Sequence, residues 1–299
     1  MERLPLTLTT SPARRQFKKL VGNNNHLLIT ILIGLHGVGS GELAAGASFS
    51  TSWAPQDPYA SAQRSREYAL KAQLAWLTDA LDSYRRLVSE PPVRLLNDDM
   101  LNQISDQDGL AEKLNALNVA SGAAVTAESA LVQMAVVWRN KIIHSRARSK
   151  LEPRWQKILR DAKPYIQERY SGLDIDRTLS SMANNQAPRF KEVTAFVRAS
   201  QTFVQQIDEK LTEAADLELY LTDALKEYVG GTPGVAPLSR AQNLWGKDRG
   251  HRVNSFIQVA TSMGMSMDSN ASGISSVDID KMLEWTPRQA VKNLFPEID

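Results

Sequence analysis

From Ser61 to Glu90 apolar side chains return every three or four residues, through Tyr68, Ala72, Trp76, Ala80, Tyr84 and Val88. That is the spacing of one helix face, and Pro91-Pro92 closes the run. Thr126 to Lys150 carries a second strong pattern. At 100° per residue Leu131, Met134, Ala135, Trp138 and Ile142 form one apolar stripe, and Val136, Ile143 and Ala147 form another on roughly the opposite side. A helix apolar on two sides is expected to be covered on both. Thr126 serves as its N-cap, with Glu128 in the first turn. Between the stripes lie Arg139, Asn140 and His144, the last two one turn apart.

The remaining chain reads as further helices. Ser11 and Pro12 predict an N-cap and first helical residue for a short helix to about Val21. The apolar run Leu27–Leu35 reads as a buried strand or a short core helix, followed by a glycine-rich turn at His36–Glu42. Residues 48–61 form a polar, proline-bearing loop. Asn97–Asn118 reads as helix with a break at Asp108-Gly109, and Trp155 to Ile166 as helix kinked by Pro164. A short helix follows within residues 174–187, and Arg189–Val229 carries one long stripe. Gly230-Gly231-Thr232-Pro233-Gly234 is the clearest linker, with some 65 residues of short helices beyond it. The expected fold is all-α, with one short extended element near the start: an N-terminal extension (1–60), a helical bundle (61–229) and a small helical C-terminal unit (230–299).

Composition narrows the chemistry. The chain has 299 residues and a formal net charge of +2, so bulk charge does not announce nucleic-acid binding. It contains no cysteine, which removes disulfides, thiolate metal sites and cysteine nucleophiles, and fits a reducing, cytoplasmic setting. The run Leu27–Leu35 is too short for a membrane span, so no membrane partner is expected, although basic residues before it resemble the start of an export signal. His36–Glu42 has neither phosphate-loop spacing nor G-x-G-x-x-G. The four histidines include no pair at i, i+4, and the acidic pairs Asp98-Asp99, Asp174/Asp176 and Asp278/Asp280 read as helix caps. Neither a metal nor another cofactor is expected, and no G-x-S-x-G marks a serine nucleophile. Acid–base work by a histidine remains.

Arg139-Asn140-Lys141-Ile142-Ile143-His144 resembles the R-x(4–6)-H signature of the HEPN-domain family, including the polar residue after the arginine. The setting is similar too: a hydrophobic helix late in a bundle, after a long amphipathic helix, over roughly residues 60–225. The resemblance implies a helical bundle and a metal-independent endoribonuclease of toxin, stress or phage-defence type. RNA would be cut by attack of its 2′-hydroxyl on the adjacent phosphorus, leaving a 2′,3′-cyclic phosphate and a 5′-hydroxyl. Histidine titrates at about pH 6.5 and suits His144 to proton transfer, while a permanently charged arginine fork suits Arg139 to phosphate oxygens. Asn140 would bind phosphate or orient His144. Family members join two motif helices in one cleft, which implies a homodimer through the Thr126–Lys150 helix or a partner supplying the other half.

Lys141, Arg146 and Arg148 extend the basic ground beside the motif, and Arg64 and Lys71 on the long helix are further candidates for RNA contact. Arg146 stands where the tyrosine-modified toxins of the family carry tyrosine, which argues against that regulation here. The competing reading is a non-catalytic helical module that binds RNA, a nucleotide or a protein. Near the C-terminus, Lys247, Arg249, His251 and Arg252 alternate with Trp245 and Phe256, either as an RNA platform or, preferred here, as a helix start around a buried tryptophan.

Overall fold

The computed structural model describes residues 5–44, 55–144, 149–231, 234–267 and 277–296. In chain order the elements are β1 (Pro5–Leu8), α1 (Pro12–Ser40), α2 (Pro58–Ser89), α3 (Asp98–Ser105), α4 (Leu110–Ala120), α5 (Ala127–Ile143), α6 (Pro153–Asp161), α7 (Lys163–Arg169), α8 (Ile175–Ala183), α9 (Phe190–Ala214), α10 (Leu217–Gly230), α11 (Pro237–Trp245), α12 (Arg249–Ser262), β2 (Met265–Met267), β3 (Val277–Asp278), α13 (Asp280–Leu283) and α14 (Pro287–Leu294). The fold is all-α apart from one small antiparallel sheet of order β2-β1-β3.

The N-terminal third differs most from its expected form. Ser11 caps α1 as its sequence predicts, its hydroxyl accepting from Arg14 N–H at 3.0 Å. The helix does not stop near Val21. It runs on through Asn23–Asn25, the apolar run and most of the glycine-rich stretch, ending where Gly41 adopts φ 80°. A left-handed residue without a Cβ is the usual way to close a helix. Asn and Gly are poor helix formers, but α1 and α2 form the most extensive helix pairing in the chain, and such packing outweighs propensity. Helical spacing also overturns the burial expected for Leu27–Leu35. Only Leu28 and Leu32 are buried, beside Ala69, Leu70 and Val193, whereas Leu27, Ile29, Ile31 and Ile33 are exposed. Leu27, Ile31, Tyr68 and Trp76 help line an open apolar groove of about 490 Å³ between the two helices.

The extended element is instead β1, which pairs Leu6 and Leu8 with Met267 and Met265 of β2, and Leu6 with Val277 of β3. The N-terminus is thus held between two strands that follow the 230–234 linker. Leu6, Leu8, Trp138, Trp245, Leu283 and Leu294 all belong to one continuous buried cluster, so residues from all three expected segments share a core. The stripe from Arg189 to Val229 is two helices rather than one. Asp216 breaks it, its Oδ1 accepting from the N–H groups of Glu218 and Leu219 and so capping α10.

At the centre lies α5. Thr126 caps it, with Ser129 Oγ accepting from Thr126 N–H at 3.2 Å in return. Every residue from Ala127 to Trp138 is buried, because α2, α4, α6 and α9 surround the helix. Trp138 packs edge-on against Phe196, with centroids 6.0 Å apart, and donates its Nε1–H to Gln186 O at 3.0 Å. Val136, of the second apolar stripe, is covered by the chain's own helices. Only the end of α5 beyond Trp138 reaches solvent.

Candidate active site at the end of the central helix

Arg139 is the first residue of α5 to emerge from the core, and its position follows from Trp138, which pins the preceding turn. The helix ends because His144 is extended (φ −110°, ψ 101°), although its N–H still donates to Asn140 O at 3.0 Å. This kink turns His144 back over the last turn. Arg139 Nη1 donates to Asn140 Oδ1 at 3.2 Å and lies 3.4 Å from His144 Nε2. A guanidinium can only donate, so in a hydrogen bond between the two Nε2 is the acceptor. The three motif residues therefore meet through Arg139. Asn140 contacts the arginine rather than the histidine. Arg139 Nε is buried with no acceptor, an orphaned donor beside an open cleft.

That cleft, about 330 Å³, is lined by Thr78, Asp79, Asp82, Arg85 and Arg86 of α2, Leu110 and Lys113 of α4, and Arg139 and Asn140 of α5. Asp82 organises its far wall. Its Oδ1 accepts from Arg85 Nε at 2.8 Å and its Oδ2 from Arg86 Nε at 2.9 Å, each reinforced by the Nη2 of the same arginine. The cleft thus sets Arg85 and Arg86 opposite Arg139, and His144 adjoins it through Arg139 without lining it.

Of the other expected RNA contacts, Lys141 turns away. Its Nζ donates to Met182 O at 3.1 Å and Ala183 O at 3.3 Å, capping the C-terminal carbonyls of α8, a structural use of a lysine at a helix end. Lys71 is set back from Thr78 by about 10 Å along α2, and Arg64 by about 20 Å, at 1.5 Å per residue, so neither lines the cleft. Arg146 and Arg148 lie outside the described residues. Arg85, Arg86 and Lys113 went unnoticed in the sequence. The signal for the first two was local: Asp82 at i−3 and i−4 marks a paired-arginine clamp on one helix face. Nothing local ties Lys113 to Arg139.

At the C-terminal end Trp245 is fully buried, stacks on Trp285 and donates Nε1–H to Met282 O at 2.8 Å. Arg249 pairs with Asp280 and Glu284, and Arg252 donates to Leu283 O. These basic residues are engaged in holding α12 and α13 together, as the buried-tryptophan reading requires.

Behind the site Glu128 is buried, and its Oε1 accepts from Tyr165 OH at 2.6 Å and Tyr170 OH at 2.9 Å. Burial pushes this carboxyl upward, but hydrogen bonds from the two phenols, the backbone and Thr126 together outweigh it and hold it below the ordinary value. It fixes α7 to the start of α5. Among the described residues no three His, Asp or Glu side chains converge as a metal ligand set, and no helix is long and apolar enough to cross a membrane. No protein-family model, no curated protein and no solved structure matches the chain.

Proposed function

We propose that the chain is a metal-independent endoribonuclease of the HEPN type, acting on RNA in the cytoplasm in a stress, toxin or phage-defence role. The observation that carries this reading is the meeting of Arg139, Asn140 and His144 at the one solvent-reaching end of a buried helix, beside a cleft lined with cations. An incoming phosphate competes for the Arg139 fork, which releases His144 Nε2 from its present donor. His144 then accepts the 2′-hydroxyl proton as the 2′-oxygen bonds to phosphorus. The phosphorus–5′-oxygen bond breaks, and a protonated histidine returns a proton to the leaving oxygen. Arg139 gathers the charge that builds on the non-bridging oxygens, with the Asn140 amide as a further donor. The products are a 2′,3′-cyclic phosphate and a 5′-hydroxyl.

The test is cleavage of a mixed RNA substrate in EDTA. Removing a proton-transfer group costs about 10²–10⁴-fold, so His144→Ala and Arg139→Ala are each expected to lose activity on that scale. Undiminished cutting by both folded variants would overturn the reading, and RNA binding without cleavage by the wild type would identify a non-catalytic module.

Two histidines, one accepting and one donating, are supplied most simply by two copies. The α5 end offers Ile143, 46% exposed, next to His144 as a contact for a second chain. Light scattering is expected to report a dimer that Ile143→Glu dissociates together with activity. A strictly monomeric active chain sinks the two-copy arrangement. A dimer indifferent to Ile143→Glu places the interface elsewhere, for example on the α1–α2 groove.

A further inference from the structure

The cleft holds more positive charge than one phosphate requires. Four cationic side chains, Arg85, Arg86, Lys113 and Arg139, face two carboxylates, Asp79 and Asp82. Arg139 alone belongs to the motif. On the opposite wall Asp82 spends both of its oxygens on Arg85 and Arg86, which fixes two guanidinium groups one residue apart on α2. Each fork uses its Nε and Nη2 edge on Asp82 and keeps Nη1 for another acceptor. Because these forks are already held in place, a ligand that meets them loses less side-chain entropy on binding. From α4, Lys113 reaches the same cleft with no acidic partner among the described residues. The orphaned Arg139 Nε completes a set of donors without acceptors.

What the cleft lacks is equally informative. Among the described residues that line it, Leu110 is the one apolar side chain, and none is an aromatic on which a base could stack. The lining thus suits a ligand's phosphates and offers its bases nothing to read.

We infer that the α2–α4 wall is a second phosphate subsite, in which Arg85, Arg86 and Lys113 hold a phosphodiester next to the one held by Arg139 on the same single-stranded RNA. This rests on the RNA reading of the cleft made above and specifies how the strand is gripped: by its backbone, across at least two phosphates, without base preference at this wall. Arg64 and Lys71 have no part in it.

The test is anisotropy binding of 2′-O-methyl oligoribonucleotides, which lack the attacking hydroxyl, to the full chain over a range of salt. Each phosphate contact on a single strand contributes about −0.7 to the slope of log affinity against log salt. Arg86→Gln and Lys113→Gln are each expected to weaken octanucleotide binding and flatten its slope by about 0.7, leaving dinucleotide binding nearly unchanged. Arg64→Gln and Lys71→Gln should change neither. Circular dichroism melting confirms that the variants are folded, and Arg86, whose side chain is mostly exposed, is safe to replace. An unchanged slope in both cleft variants overturns the subsite. ATP or pyrophosphate binding more tightly than the octanucleotide also overturns it, by showing that the cations serve a pyrophosphate group. The two proposals fail separately: cleavage that depends on His144 with unaltered slopes defeats only the subsite, whereas flattened slopes in a chain that never cuts RNA defeat only the nuclease.

Discussion

Trp138→Ala is expected to lower the unfolding free energy by about 3–5 kcal/mol, the range for truncating a fully buried aromatic side chain. Two losses combine. The cavity lies in the layer between α5 and α9, where the indole meets Phe196, and Gln186 O loses its donor at the turn between α8 and α9. In a chain of this size the change corresponds to a fall in melting temperature on the order of 10 °C. Trp138→Phe separates the terms, since it keeps most of the apolar volume and gives up the hydrogen bond, for about 1–2 kcal/mol beyond any packing change. Because Arg139 follows directly, the alanine variant should also lose the RNA cleavage proposed above by misplacing the guanidinium, even where it remains folded. A melting temperature within a degree or two of wild type would show that α5 is not held through this residue.

The second large effect belongs to Asp208 on α9. Its carboxylate is buried and accepts from Ser11 N–H at 3.1 Å, from the Ser11 hydroxyl, and from Tyr84 OH at 3.3 Å, joining the start of α1 to α2 and α9. Asp208→Ala strands those donors in the core, and leaving buried polar groups unsatisfied costs about 1–3 kcal/mol each, so a loss of at least about 3 kcal/mol is expected. Tyr84 directly precedes Arg85, so this network also seats the far wall of the cleft.

Asp208 carries a pH signature as well. Burial pushes its carboxyl above the ordinary aspartate value, against the opposing pull of the Ser11 and Tyr84 hydrogen bonds and the Arg14 charge. The native state then binds the proton more tightly than the unfolded chain does. Its contribution to stability is full below the unfolded value and declines as pH rises through the raised native value. Asp208→Asn removes that titration. Denaturant melts are therefore expected to show wild type losing stability relative to Asp208→Asn as pH climbs upward from the ordinary aspartate range. A difference that is flat or rises with pH would contradict the raised value.

The motif was legible as a group, because Arg139, Asn140 and His144 lie within six residues, but the extended backbone at His144 that turns its ring onto Arg139 was not. The cleft was half legible. Arg85 and Arg86 share a face of α2 with Asp82, but their opposition to Arg139 depends on how α2, α4 and α5 cross. Arg64 and Lys71 looked equivalent to them in sequence, being basic residues on the same helix. Distance along the axis separates them, and sequence pattern does not say which stretch of a helix faces which neighbour.

Periodicity and capping chemistry by themselves determined that this chain is a set of amphipathic helices, that Ser11 and Thr126 begin two of them, and that a histidine, an arginine and an asparagine share one helix end. These are interactions between residues one to five apart, which the chain carries wherever it goes. Tertiary structure decided that α1 continues through asparagines and glycines and that β1 lies between strands from the far end of the chain. It also decided that α5 is covered by its own chain as far as Trp138, while the Arg139–His144 stretch reaches solvent. The reason is common to all of these. Burial is supplied by partners distant in sequence, and the free energy of covering an apolar face exceeds the small local preferences that mark where a helix would otherwise stop.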